Sequence, residues 1–154
     1  MRAEEKLHQV KRILLVDDDI DLLMLLERKL QNSGYVIESA ASMPEAEYVL
    51  SLFKPNIVIL DINVAGDDGR QLCWKIKNTG DNRNAKVILM SGYNYPINKQ
   101  LLFGADDYLA KPFQSEYLLK KVESLLNEQP VPEPILLFHP VDAIRSDFPG
   151  AALG

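Results

Sequence analysis

Three short apolar runs each end in a charged residue, and a fourth ends in a hydroxyl. Ile13-Leu14-Leu15-Val16 runs into Asp17-Asp18, Ile57-Val58-Ile59-Leu60 into Asp61, and Tyr108-Leu109-Ala110 into Lys111-Pro112, while Val87-Ile88-Leu89-Met90 delivers Ser91. Carboxylates, a hydroxyl and an ammonium gathered in one place suit a divalent cation and a phosphoryl group, because carboxylate oxygens are hard ligands and cationic or O–H donors stabilise phosphoryl oxygens. The elements that carry them must do the gathering. Continuous aliphatic runs of this length, separated by helix-like stretches, read as strands buried on both faces of a parallel sheet. Such sheets bind ligands at their carboxyl edge, which is where all four runs end.

Between the strands the apolar period becomes that of helices. Leu22, Leu25, Leu26 and Leu30 predict a buried helical stripe stopped at Gly34, followed by a strand from Tyr35-Val36-Ile37. Ser42, Pro44 and Glu45 read as an N-cap and capping box ahead of a stripe of Ala46, Val49, Leu50 and Phe53, closed by Lys54-Pro55. Residues 63–69 read as a loop, and Leu72, Cys73 and Ile76 as the buried face of the next helix. A shorter helix is expected over residues 97–103, ahead of Gly104, and a last one is marked by Leu118, Val122 and Leu125. Five strands alternating with five helices imply a doubly wound α/β sandwich.

With 154 residues, 47% of them hydrophobic, the chain suits one domain, placed at residues 11–127. Beyond it Pro130, Pro132, Pro134, Pro140 and Pro149 interrupt any helix, so residues 128–154 read as a linker or tail. Ile135-Leu136-Leu137-Phe138 is the apolar exception, expected to dock on the domain or on a second copy. A net charge of -5 argues against a nucleic-acid partner, which needs clustered Lys and Arg. Cys73 is the only cysteine, so neither an intrachain disulfide nor a thiolate zinc cluster can form. The absence of a membrane-length apolar segment or an apolar leader points to a soluble cytoplasmic protein. His8, His139 and Trp74 have no partner pattern.

From residue 11 to residue 127 the chain resembles the receiver domain of two-component response regulators, the family that includes the stand-alone chemotaxis regulator. Four segments carry the resemblance: Leu15-Val16-Asp17-Asp18-Asp19; Asp61 with Gly69 eight residues on; Met90-Ser91-Gly92; and the stretch from Gly104-Ala105-Asp106-Asp107-Tyr108 through Lys111-Pro112-Phe113. The resemblance implies a flavodoxin-like sheet in the order 2-1-3-4-5. It implies that Asp61 takes a phosphoryl group from a phosphohistidine on a sensor histidine kinase or a histidine phosphotransfer protein, and that the signal passes to a downstream protein target. In those roles Asp61 is the nucleophile, and Asp17, Asp18, Asp61 and the backbone carbonyl of Asn63 hold Mg²⁺. Lys111 and Ser91 bind phosphoryl oxygens, and Ser91 with Tyr108 forms the switch. The Lys111-Pro112 bond is expected to be cis. Ile20, Leu23 and Met24, off the expected stripe of the first helix, are expected to dock the phosphodonor.

Departures from the family pattern bear on tuning. Ala65 stands where proline is common, which predicts a looser loop made acidic by Asp67-Asp68; Tyr93, two past the hydroxyl, is placed to shield an acyl phosphate from water. Tyr117 stands where members that dimerise through their last two helices carry an acid, so the sequence does not specify that homodimer. Three rivals remain at this level. A haloacid-dehalogenase-type phosphohydrolase shares the strand and Asp-x-Asp start but needs Thr or Val where this chain has Asp21. An inert receiver-like module would lack a site residue. The front part of a longer regulator would look the same over these residues.

Overall fold

The structure is a computed structural model that describes residues 9–92 and 103–127. Strands β1 (Arg12–Val16), β2 (Val36–Ala40), β3 (Ile57–Asp61), β4 (Lys86–Ser91) and β5 (Asp107–Ala110) form one sheet. All its pairings are parallel, and the order is β2-β1-β3-β4-β5, the expected flavodoxin-like arrangement. Helices α1 (Ile20–Asn32), α2 (Met43–Phe53), α3 (Gly69–Asn78) and α4 (Ser115–Asn127) flank it. Of the helix expected over 97–103, only Phe103 is described, in a turn with Gly104; residues 97–102, the tail, His8 and Tyr93 lie outside the described residues.

Alternation along each strand divides the core in two. Leu14, Val16, Val58, Leu60, Val87 and Leu89 pack toward α2 and α3. Ile13, Leu15, Ile57, Ile59, Ile88 and Met90 pack with α1 and α4. Both faces are covered, which is why the strands read as unbroken apolar runs, and each fully buried aliphatic side chain contributes about 1.5–3 kcal/mol.

The α1 stripe differs from the expected one. Leu23, Leu26 and Leu30 are buried, Leu22 is half-buried and Leu25 is 60% exposed. Residues 22–26 are apolar throughout, so the sequence allows neighbouring stripes, and packing on the sheet selects the one at i, i+3 and i+7. Leu23, only 4% exposed, is therefore a core residue and not part of a docking surface. The other helices follow expectation more closely. Ser42 Oγ accepts from Glu45 N, and the Glu45 carboxylate accepts from Ala41 N, one residue earlier than a standard capping box. Lys54, left-handed at φ 53, ends α2, and Arg12 donates to the carbonyls of Phe53 and Lys54 that the helix leaves open.

Candidate functional site

Parallel register sets the site. Val16 stands level with Leu60, Asp61 with Met90, and Ser91 with Ala110, so the residues that end β1, β3, β4 and β5 meet at the carboxyl edge. Lys111 lies just past β5, held by its amide to Ser91 O at 2.7 Å, and the Lys111-Pro112 peptide is cis. Its Nζ donates to Asp17 Oδ2 at 2.5 Å and to Asp61 Oδ2 at 2.6 Å. The other oxygens of both carboxylates accept from backbone two residues on, Asp17 Oδ1 from Asp19 N and Asp61 Oδ1 from Asn63 N, each at 2.9 Å.

Asp17, Asp18 and Asp61 each offer an oxygen within 4.8 Å of the others. Three carboxylates against one ammonium leave two negative charges uncompensated, the charge of one divalent cation. Burial pushes the Asp17 pKa above the usual carboxylate value and the Asp61 charge adds to this, while the Lys111 hydrogen bond and the Asp19 amide only partly offset it. For Lys111, burial acts to lower the pKa, but hydrogen bonds to Asp17 and Asp61 outweigh it and the ammonium is held above its ordinary range. The donor set is all-oxygen and acidic, which fits Mg²⁺.

The segment after Asp61 is a defined hairpin, not the looser loop that an alanine in place of proline predicts. Asn63–Val64 and Asp67–Asp68 pair as a two-stranded antiparallel ladder. Its turn residues Ala65 and Gly66 are both left-handed, at φ 50 and 90, the arrangement a tight two-residue hairpin requires. Asn63 Oδ1 accepts from Gly66 N at 3.1 Å and closes the turn. A proline, fixed near φ −65°, cannot occupy this position 65. Next comes a close approach: a Cβ on Gly69 would stand 2.0 Å from the Asp61 carbonyl oxygen, and Gly69 N donates to Ile62 O at 2.6 Å. Asp68 caps α3 through Arg70 N and is paired with the Arg70 guanidinium, which keeps its carboxyl below the usual range.

The Ser91 hydroxyl is buried beside the site and hydrogen-bonds the Tyr108 hydroxyl, so the two residues expected to form the switch are in contact. A groove of about 440 Å³ next to the carboxylates is lined by Asp19, Leu22, Lys111, Pro112 and Phe113. Ile20 and Met24 are exposed as expected but lie elsewhere: at about 100° per residue they stand about 160° around α1 from Leu22, whereas Leu25 is about 60° away. Sequence reasoning also missed the pair of buried Lys121 with half-buried Asp107 and the bridge of Lys77 to Asp106. The adjacent acids at the start of β5, Asp106-Asp107, were the available signal.

A family model described as the response regulator receiver domain matches residues 13–123. Among curated proteins, 117 residues are 35% identical to the uncharacterized transcriptional regulatory protein YvcP of Bacillus subtilis, covering 75% of this chain and 48% of that protein. Response regulator MprA of Mycolicibacterium vanbaalenii is 36% identical over 115 residues, covering 75% of this chain and 50% of that one. The chain thus spans about half the length of these relatives. Among solved structures, a putative response regulator from Chloroflexus aurantiacus matches with TM-score 0.70 and 30% identity over 77% of this chain and 99% of that one. A receiver domain protein from Methanospirillum hungatei matches with TM-score 0.70 and 31% identity over 79% of this chain and 97% of that one.

Proposed function

Since the chain belongs to the response regulator receiver family, a class of two-component phosphoacceptors rather than true enzymes, we propose that Asp61 accepts the phosphoryl group and that the residues around it act as follows. One observation carries the reading: Lys111 Nζ lies within 2.6 Å of both Asp17 and Asp61, at the mouth of a three-carboxylate cluster. Asp61 attacks phosphorus in line, an O–P bond forms as the N–P bond to the donor histidine breaks, and the histidine nitrogen takes up a proton. Lys111 pairs with an incoming phosphoryl oxygen while keeping its contact with Asp17. The Asn63 amide holds Asp61 Oδ1 so that the carboxylate does not rotate. Asp17, Asp18, Asp61 and the Asn63 carbonyl would hold Mg²⁺, which when bound neutralises the repulsion between an anionic nucleophile and an anionic donor.

Ser91 links this chemistry to the surface. Its hydroxyl engages Tyr108 in this structure and is the group placed to donate to a phosphoryl oxygen on Asp61, so phosphorylation exchanges one partner for the other and ends the Ser91–Tyr108 contact. The partners of receiver domains are histidine kinases; the donor here is a kinase or a histidine phosphotransfer protein, acting in the cytoplasm. Among the described residues no helix is long and apolar enough to cross a membrane. We place the donor on the groove of Leu22, Pro112 and Phe113, with exposed Leu25 extending it. Residues 11–127 are the receiver and 128–154 a proline-rich linker or tail, with the output carried by protein contacts.

Two treatments test the reading. The adduct formed with Mg²⁺ and a small acyl phosphate should be released by hydroxylamine, leaving a hydroxamate that peptide mapping locates at Asp61; a hydroxylamine-stable adduct would remove the acyl phosphate. Leu25→Lys should slow transfer from the phosphohistidine donor about tenfold or more while small-molecule phosphorylation is unchanged. Equal loss of both would instead mark Leu25 as a folding residue.

A further inference from the structure

Strand β2 ends the sheet, and its outer side meets no other described strand. Val36 N donates to Lys11 O, and Ala40 O accepts from Asp17 N, so Val36, Glu38 and Ala40 direct their backbone groups toward β1. In a parallel strand the alternate residues point the other way, which turns the N–H and C=O groups of Ile37 and Ser39 toward the open edge. Natural sheets cover or blunt such an edge. Here its surroundings are apolar. Val36 is exposed on the side of the sheet that α2 covers, and on α2 Tyr48 and Leu52, one turn apart, are each 67% exposed. Leu52 lies at the level of Val36, because Arg12 pairs with Val36 in register and holds the carbonyls of Phe53 and Lys54.

The chain itself brings an apolar segment to this place. Tyr35, directly before β2, packs on the same cluster as Leu125 and Leu126 near the end of α4. Burial raises the Tyr35 phenol pKa and the Glu123 charge adds to the effect, which again puts the last turns of α4 beside the start of β2. From Asn127 the seven residues 128–134, three of them proline, span up to about 23 Å when extended. They lead to Ile135-Leu136-Leu137-Phe138, four apolar residues, of which Ile135 and Phe138 are strand-forming types, in an otherwise proline-broken stretch too short for a helix.

We propose that residues 135–138 of the same chain pair with the open edge of β2, parallel to it, and cover Val36 and Leu52. The tail leaves α4 at the end of the sheet where β2 begins, so a strand running on from there has the direction of β2. Its alternate side chains then meet the α2 side and the α1 side of the edge. This contact lies on the outer edge of β2, the side away from β1, and does not depend on the reading of the phosphoacceptor pocket.

The test uses the whole 154-residue chain and its Leu136→Asp/Leu137→Asp variant, with amide hydrogen exchange read residue by residue. The amides of Ile37 and Ser39 should exchange about tenfold or more faster in the variant, while those of Val36 and Asp17, bonded inside the sheet, keep their rates. Equal rates for Ile37 and Ser39 in the two chains would overturn the proposal. So would protection of those amides that disappears on dilution, since the edge would then be covered by a second copy.

Discussion

At Asp17, Asp18 and Asp61 the side chains that make the site useful also make it unfavourable without a cation. Like charges about 4 Å apart repel by about 4 kcal/mol at an effective dielectric of 20, and Lys111 compensates only one of the three. Asp18 is the exposed member and accepts no described hydrogen bond, so its removal relieves repulsion without orphaning a partner. Asp18→Ala should therefore be at least as stable as the unmodified chain in the absence of metal. With Mg²⁺ at a hundred times its dissociation constant the unmodified chain should gain about 2.7 kcal/mol, and the variant little, in urea titrations. A different residue shows the reverse of reactivity. Cys73 is fully buried, and burial pushes its thiol up to about 12. In the native protein at pH 8 it should resist alkylation by iodoacetamide and react only after denaturation; rapid native labelling would contradict its placement.

The elements differ in how much of them the sequence discloses. The strand ends and the helix caps are written locally, in apolar runs followed by Asp17, Asp61, Ser91 and Lys111, and in Ser42 with Glu45. The α1 stripe is not, because five successive apolar residues leave its rotation to the sheet, which buries Leu23 while Ile20 and Met24 stay exposed. The hairpin after Asp61 was hidden because Ala-Gly is not a common turn pair; its left-handed Ala65 is held by the ladder and by Asn63. Two substitutions probe this segment. Ala65→Pro cannot take a positive φ and should open the hairpin, lowering stability by about 2 kcal/mol and slowing adduct formation. Gly69→Ala drives a Cβ into the Asp61 carbonyl and should be worse, about 2–4 kcal/mol by urea unfolding, because backbone rather than a flexible side chain must yield. Unfolding midpoints matching the unmodified chain would show that the loop is not held as described.

For the molecule as a whole, the buried groups with raised pKa values set the response to alkali. Cys73 rises from 9.0 to about 12, and Lys111 and Lys121 are held above 10.5, in the Lys121 case because the hydrogen bond to Asp107 outweighs burial. In each case the folded state binds the proton more tightly than the unfolded state. The stabilisation is thus complete below the unfolded values and is lost as pH rises through the folded ones. Stability should hold to about pH 9 and then decline, the first part of the decline being absent in Cys73→Ala, as urea midpoints from pH 7 to 11 would show. The central claim is more local than this: one carboxylate, Asp61, accepts the phosphoryl group. It is tested most directly by incubating the unmodified chain and Asp61→Asn with Mg²⁺ and a small acyl phosphate and recording intact masses. The account predicts a single phosphoryl increment on the unmodified chain and none on Asp61→Asn, whose amide is too weak a nucleophile and whose fold, by circular dichroism, is unchanged. An undiminished increment on Asp61→Asn would contradict it.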